Sequence, residues 1–138
     1  MSERKDWNQG IIEEFRENEG KVGGMFEGTP LLLLHHTGAR SGKVRVNPLA
    51  YQADGDRFIV FASKGGAPTN PDWYHNLKAN PDATVEVGTK SIPVRARVAE
   101  TEERERLWSH QKELMPGFAD YERKTSRKIP VVVLEPTR

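Results

Sequence analysis

The chain has 138 residues, enough for one domain with its own core and too few for two. It contains no cysteine, which excludes disulfides, thiolate metal sites and thiol nucleophiles. Its 21 Lys and Arg against 20 Asp and Glu leave a formal charge of +1, which disfavours a strongly basic nucleic-acid binder and an acidic tail alike.

Residues 6–18 have the spacing of an amphipathic helix, with Trp7, Ile11, Ile12 and Phe15 on one face and Gly20 as its stop. The other face is rich in Glu and poor in Lys and Arg, which favours packing on the domain over contact with a membrane surface. Lys21–Gly28 is glycine-rich and reads as a linker. Leu31–Thr37 reads as a strand, broken at Gly38–Gly42, and Val44–Gln52 as the next, with Pro48 marking an edge or a bulge. Asp54-Gly55-Asp56 turns the chain into a strand over Phe58–Ser63. After the glycine loop Lys64–Asn70, a short helix follows, with Asn70 as cap, Pro71 at its first position, and Trp73, Tyr74 and Leu77 as apolar residues.

Thr84–Val87 and Ile92–Val98 read as a hairpin about Gly88-Thr89. Thr101 is the expected cap of a helix to about Met115, interrupted by Pro116-Gly117, with a further turn through Tyr121. Ile129–Leu134 is the terminal strand. About six strands joined mainly by hairpins, with three or four helices, specify an α+β fold. An antiparallel barrel or sandwich with peripheral helices fits better than a parallel sheet. The longest apolar runs, Leu31–Leu34 and Val131–Leu134, are far below the roughly 20 residues that span a bilayer. The charged start has no apolar segment behind it, so the expected location is the cytoplasm.

The charges are unevenly placed. Seven acids lie in residues 1–27 and none from Gly28 to Ala53, where Arg40, Lys43, Arg45, His35 and His36 stand. Glycines that free backbone N–H groups, beside arginines that grip carboxylate or phosphate through two bonds, suit a small anionic ligand. Lys64-Gly65-Gly66 offers a second set of donors, although neither stretch has Walker or dinucleotide spacing. No metal site is expected, because His35 and His36 face opposite ways on a strand and His75 and His110 lack partners at ligand spacing. Ser41 and Ser63 lie outside any nucleophile elbow. Trp108 reads as core, and Trp73 as core or as the wall of a ring pocket.

Several linked motifs then resemble the deazaflavin-dependent nitroreductase family. They are Gly28-Thr29-Pro30 with Leu31–Leu34, Thr37-Gly38, Ser41-Gly42 and Arg45–Leu49. Ala62–Gly66, Asn70-Pro71, Trp73-Tyr74, Asn76-Leu77, Asn80-Pro81 and Ile129–Val133 with Glu135-Pro136 continue them in order. The resemblance covers Gly28 to Pro136. It implies a split β-barrel over 28–138, preceded by the helix and linker of 1–27. It further implies binding of reduced coenzyme F420, a deazaflavin carrying a phosphate and an oligoglutamate tail, with FMN as the alternative cofactor.

On the family pattern, Ala39, Arg40, Ser41 and Arg45 lie along phosphate and tail. Val46, Asn47, Pro48, Leu49 and Ala50 border the ring. Phe61, Ala62, Ser63 and Lys64 cross the ring and phosphate, and Asp72, Trp73, Tyr74, His75 and Asn76 close the other side. The implied reaction is hydride transfer to an electron-poor small molecule, a quinone, an activated enone or lactone, or a nitroaromatic; a non-catalytic carrier is the other class. Ser63 is the expected polarising hydroxyl, and Met115, Phe118 and Tyr121 the expected acceptor pocket. Members that reduce bulky nitroimidazoles carry tyrosines where Met115 and Phe118 stand. Only Tyr121 keeps a phenol that can supply a proton, which favours enone or quinone reduction. Nucleic acid is not expected as a partner, and the oligomeric state is open.

Overall fold

The computed structural model describes residues 3–23, 29–63, 69–126 and 128–137, with side chains from Gln9 onward. The chain runs through α1 (Glu3–Glu17), β1 (Leu31–Thr37), β2 (Val44–Ala50), β3 (Gln52–Asp54), β4 (Arg57–Phe61) and α2 (Asp72–Ala79). It continues through β5 (Asp82–Val87), β6 (Lys90–Val98), α3 (Thr101–Leu114), α4 (Gly117–Lys124) and β7 (Val131–Pro136). All pairings between strands are antiparallel, in the order β2-β1-β5-β6-β7-β4-β3. The two edge strands, β2 and β3, are neighbours in sequence with only Tyr51 between them. The seven-stranded sheet therefore curls until its edges meet there, as a split half-barrel.

Tyr51 also explains why seven strands stand where about six were expected. Val44–Gln52 reads as one strand, but β2 pairs with β1 while β3 pairs with β4 at the far edge. The corner between them sends the Tyr51 N–H to the Pro30 carbonyl at 3.2 Å. Pro48 sits opposite Leu33 on the edge strand β2, where its missing donor costs no ladder bond.

Leu31–Leu34 is apolar without alternation because β1 is covered on both faces. Leu32 and Leu34 join Val60, Val85, Val94, Val132 and Leu134 in the barrel interior, closed by Trp73 and Leu77 of α2. Leu31 and Leu33 face outward onto Ile11, Ile12 and Phe15 of α1. A third cluster packs Ile59, Phe61, Val131 and Val133 against Leu107 and Trp108 of α3 and Phe118 of α4. Each such side chain contributes about 1.5–3 kcal/mol by leaving water. Trp108 is core, as read, and its Nε1–H donates to Glu122 at 2.8 Å.

Two helix starts differ from expectation. Asn70 precedes a proline, which keeps it extended; Pro71 itself (φ −69°, ψ 156°) holds the cap position and α2 begins at Asp72. Thr101 is the first residue of α3 rather than its cap, which is Glu100. The Ala99 N–H stays tied to the Val131 carbonyl at 2.8 Å, so the reversal is compressed into Thr101, at φ 49°. Among the described residues no helix is long and apolar enough to cross a membrane.

Candidate functional site

The interior face of β1 carries Leu32, Leu34 and then His36, and across from them β2 places Leu49, Asn47 and Arg45. The row turns polar at the end of the barrel. His36 is only 2% exposed there, and it is fully engaged. Its Nε2 lies 2.7 Å from Asn47 Oδ1, and its Nδ1 3.0 Å from Asn76 Nδ2 on α2. The Ala39 N–H donates to Asn76 Oδ1 at 2.9 Å, which turns the amide nitrogen of Asn76 toward the imidazole. Nδ1 is therefore the acceptor and Nε2–H the donor. Burial pushes the His36 pKa down, with the Arg45 charge acting the same way and the Asn47 hydrogen bond and Asp72 opposing. The ring is neutral at neutral pH.

Above this network lies the β1–β2 turn. Gly38 N–H donates to the Lys43 carbonyl at 2.8 Å and Gly42 N–H to the Gly38 carbonyl at 3.0 Å. A Cβ at Gly38 would overlap Ser41 Oγ, which accepts from the Lys43 N–H at 3.2 Å. The turn is thus tightly wound, with Ala39, Arg40, Ser41, Lys43 and Arg45 exposed on it. Arg16, Arg57, Arg95, Arg97, Arg104, Arg106 and Arg123 are all held by carboxylates. Among the arginines whose side chains are described, Arg40 and Arg45 form no ion pair with described residues. Two unpaired guanidiniums, an ammonium and a hydroxyl on an anchored turn form a donor set that fits a phosphate and carboxylates.

The remaining expected residues divide. Leu49 and Tyr74 pack on the interior cluster that holds Trp73 and Ala62, so these four share the side of the network. Trp73 is core there. Val46 and Ala50 pack on the α1 side, and Pro48 lies on that face too. Five consecutive strand residues cannot share one face, so side chains at 47 and 49 alone point inward. Asp72 and His75 are exposed on α2, His75 meeting the Tyr74 ring edge-on at 5.5 Å.

Phe61 faces the opposite cluster, with ring centroids 5.8 Å from Trp108 and 5.7 Å from Phe118. Phe118 in turn lies 5.1 Å from Tyr121, and Met115 Sδ accepts from Gln111 Nε2 at 3.3 Å. The expected acceptor group is therefore one cluster, packed on the Phe61 face of β4, while Val60 and Ala62 belong to the interior cluster. Ser63 is buried just beyond β4. Lys64, Gly65 and Gly66 lie outside the described residues. Among those described, no group of three His, Asp or Glu side chains is placed to hold a metal ion.

Sequence reasoning counted His36 with the cations of the acid-free window, whereas burial keeps it neutral inside the network, and it missed Gln52 and Gln111. The signal for His36 was available: it is the next inward position after Leu32 and Leu34. Gln52 has none, since its Nε2 reaches the Leu107 carbonyl at 3.1 Å and Gln111 Oε1 at 3.3 Å, contacts 55 and 59 residues away.

A family model described as "F420H(2)-dependent quinone reductase" matches residues 7–136. The F420H(2)-dependent quinone reductase Rv1261c of Mycobacterium tuberculosis is 44% identical over 124 residues, covering 87% of this chain and 83% of that protein. A solved structure of an "F420-H2 Dependent Reductase (FDR-A)" is 45% identical, covers 77% of this chain and 94% of its own, and superposes with a TM-score of 0.71. A second, described as a domain-swapped dimer, is 40% identical over 96% of both chains with a TM-score of 0.73. The chain belongs to the F420H(2)-dependent quinone reductase family.

Proposed function

We propose that the protein is a reductase that uses reduced coenzyme F420 to reduce a quinone-type small molecule, with activated enones or lactones as further acceptors. The observation that carries this reading is the cation set Arg40, Lys43 and Arg45, without ion pairs among the described residues, beside a turn tied to a buried amide–imidazole network. When bound, the cofactor supplies a hydride from C5 of its deazaflavin ring. The protein's task is to bind, orient and exclude water.

Arg40, Ser41 and Arg45 are the groups for phosphate and tail, on a turn that the Ala39 N–H anchors to Asn76, and Lys64 joins them on the family pattern. Asn47, Leu49 and Tyr74 serve the ring, with Trp73 as core behind them. Ser63 is the hydroxyl proposed to polarise the acceptor, and Tyr121 the phenol that supplies the proton. Phe118 and Met115 present no proton to an acceptor, which favours quinones and enones over nitroimidazoles.

Fluorescence titration with F420 and with FMN, followed by turnover with menadione and a simple enone, tests this reading. F420 binding with quinone turnover is the expected result. FMN binding without F420 binding overturns the cofactor, and F420 binding without turnover of any acceptor makes the protein a carrier.

A further inference from the structure

Four segments far apart in sequence meet at one side chain. His36 stands on β1, Asn47 on β2, Asn76 on α2, and Ala39 in the turn that carries the unpaired cations. Every polar atom along this path has one role only. The Ala39 N–H can only donate, so Asn76 must present Oδ1 to it and Nδ2 to the imidazole. Asn76 Nδ2 can only donate, so His36 Nδ1 must be bare and Nε2 must carry the hydrogen. Nε2–H then takes Asn47 Oδ1, which turns the Asn47 Nδ2 donor away from His36. That Nδ2 has no partner among the described residues, and Asn47 is half-buried at the polar end of the interior row. It is a donor available to a carbonyl oxygen of a bound heterocycle.

We propose that His36 is a positioning residue that holds both halves of the cofactor cradle in register: Asn47 on the ring side, and the Ala39–Arg45 turn, through Asn76, on the phosphate and tail side. The inference rests on the F420 reading above and extends it to a residue without direct cofactor contact. An apolar residue of similar size would fill the space yet leave the Asn76 Nδ2 donor and the Asn47 Oδ1 acceptor without their partner. A protonated imidazole would place two donors, Nδ1–H and Asn76 Nδ2–H, against each other. The charged groups that act on the ring are Arg45 on β2 and Asp72 on α2, with His35 adding the smallest effect from the opposite face of the strand, and burial with Arg45 keeps the neutral form dominant.

Two substitutions separate the arms. His36→Gln places an amide donor near the Nε2 position, keeping Asn47 while losing the acceptor for Asn76. His36→Asn places a carbonyl near the Nδ1 position, keeping Asn76 while losing the donor to Asn47. Titrations use F420 and its phosphate-free deazaflavin fragment. The Gln variant should bind F420 about tenfold more weakly and the fragment within about twofold of wild type. The Asn variant should lose about tenfold for both ligands.

Equal losses in the two variants for both ligands, or no loss in either, overturn the positioning role. Failure of the wild type to bind F420 overturns the functional reading instead. A measurement on the ligand-free wild type keeps the two apart. Imidazole 15N shifts of His36 should report Nε2–H with bare Nδ1 at about pH 7.5. An Nδ1–H tautomer rejects the inference whatever the cofactor does.

Discussion

Arg16 on α1 grips Glu86 on β5 through two bonds, Nε to Oε1 at 3.2 Å and Nη2 to Oε2 at 2.7 Å. His35 on β1 adds a third contact, Nε2 to the same Oε2 at 2.5 Å. One carboxylate thus ties the first helix to two strands of the barrel. The Arg16 hydrogen bond holds the Glu86 carboxyl below its ordinary value of 4.5, with burial opposing and His35 assisting. The folded pKa lies below the unfolded one. The stabilisation is therefore complete above about pH 4.5 and fades as pH falls through the lowered native value. Arg16 is half-exposed, so Arg16→Gln should cost only about 0.5–1 kcal/mol at pH 7. In urea unfolding the deficit should be smaller at about pH 3 than at pH 7. A deficit of equal size at both pH values would show that the carboxylate is not its source.

Arginines on this surface should separate into two classes. Arg97 donates to Glu103 at 2.6 and 2.9 Å and also reaches Glu135, and Glu103 holds Arg57 as well. Arg97→Gln breaks that network and should lower stability by about 1 kcal/mol while leaving F420 affinity unchanged. Arg40→Gln and Arg45→Gln remove charges that have no described carboxylate partner. They should stay within about 0.5 kcal/mol of wild type in thermal melts, yet weaken F420 binding and flatten its salt dependence. Unchanged affinity in both would remove these residues from the cradle.

That contrast also shows where sequence reading reaches and where it stops. The acid-free window pointed to Arg40 and Arg45, because missing acids are visible in a linear string. Leu31–Leu34 was legible as a buried strand, and Pro48 as an edge marker, since each carries its own local signal. The break at Tyr51 was not legible. It arises because one extended stretch pairs with partners at opposite edges of a closed sheet, a property of the whole fold. The ring-side residues 46–50 came as a block, and only the sheet's two-residue period sorts Asn47 and Leu49 from Val46 and Ala50. The link from His36 to Asn76 spans 40 residues and needed α2 to be placed over the barrel end.

The aromatic cluster around Phe118 gives a prediction about acceptor choice. Phe118 is 9% exposed and meets Tyr121 and Phe61 edge-on. Phe118→Tyr adds a phenol beside the one already present at Tyr121. It should extend turnover toward bulky nitroaromatics while leaving menadione turnover within about threefold of wild type. An unchanged acceptor range across a panel of quinones, enones and nitroimidazoles would show that the missing hydroxyl does not set selectivity.

The end of α1 and the β5–β6 turn meet backbone to backbone at two glycines. Gly20 has φ 97°, and a Cβ on it would come within 2.7 Å of Gly88 Cα. Neither the left-handed backbone nor the close approach admits a side chain, and the opposing atoms are main chain, which cannot swing aside. Gly20→Ala should therefore cost about 2–4 kcal/mol, in the range of a severe core lesion. Gly88 has φ 59°, but its own Cβ would meet nothing nearer than the Glu19 carbonyl at 3.8 Å. Gly88→Ala carries only the conformational penalty, about 1 kcal/mol. Chemical denaturation of the two variants measures the difference. Similar losses would place the whole cost in the backbone conformation and none in the contact that seats the first helix against the hairpin.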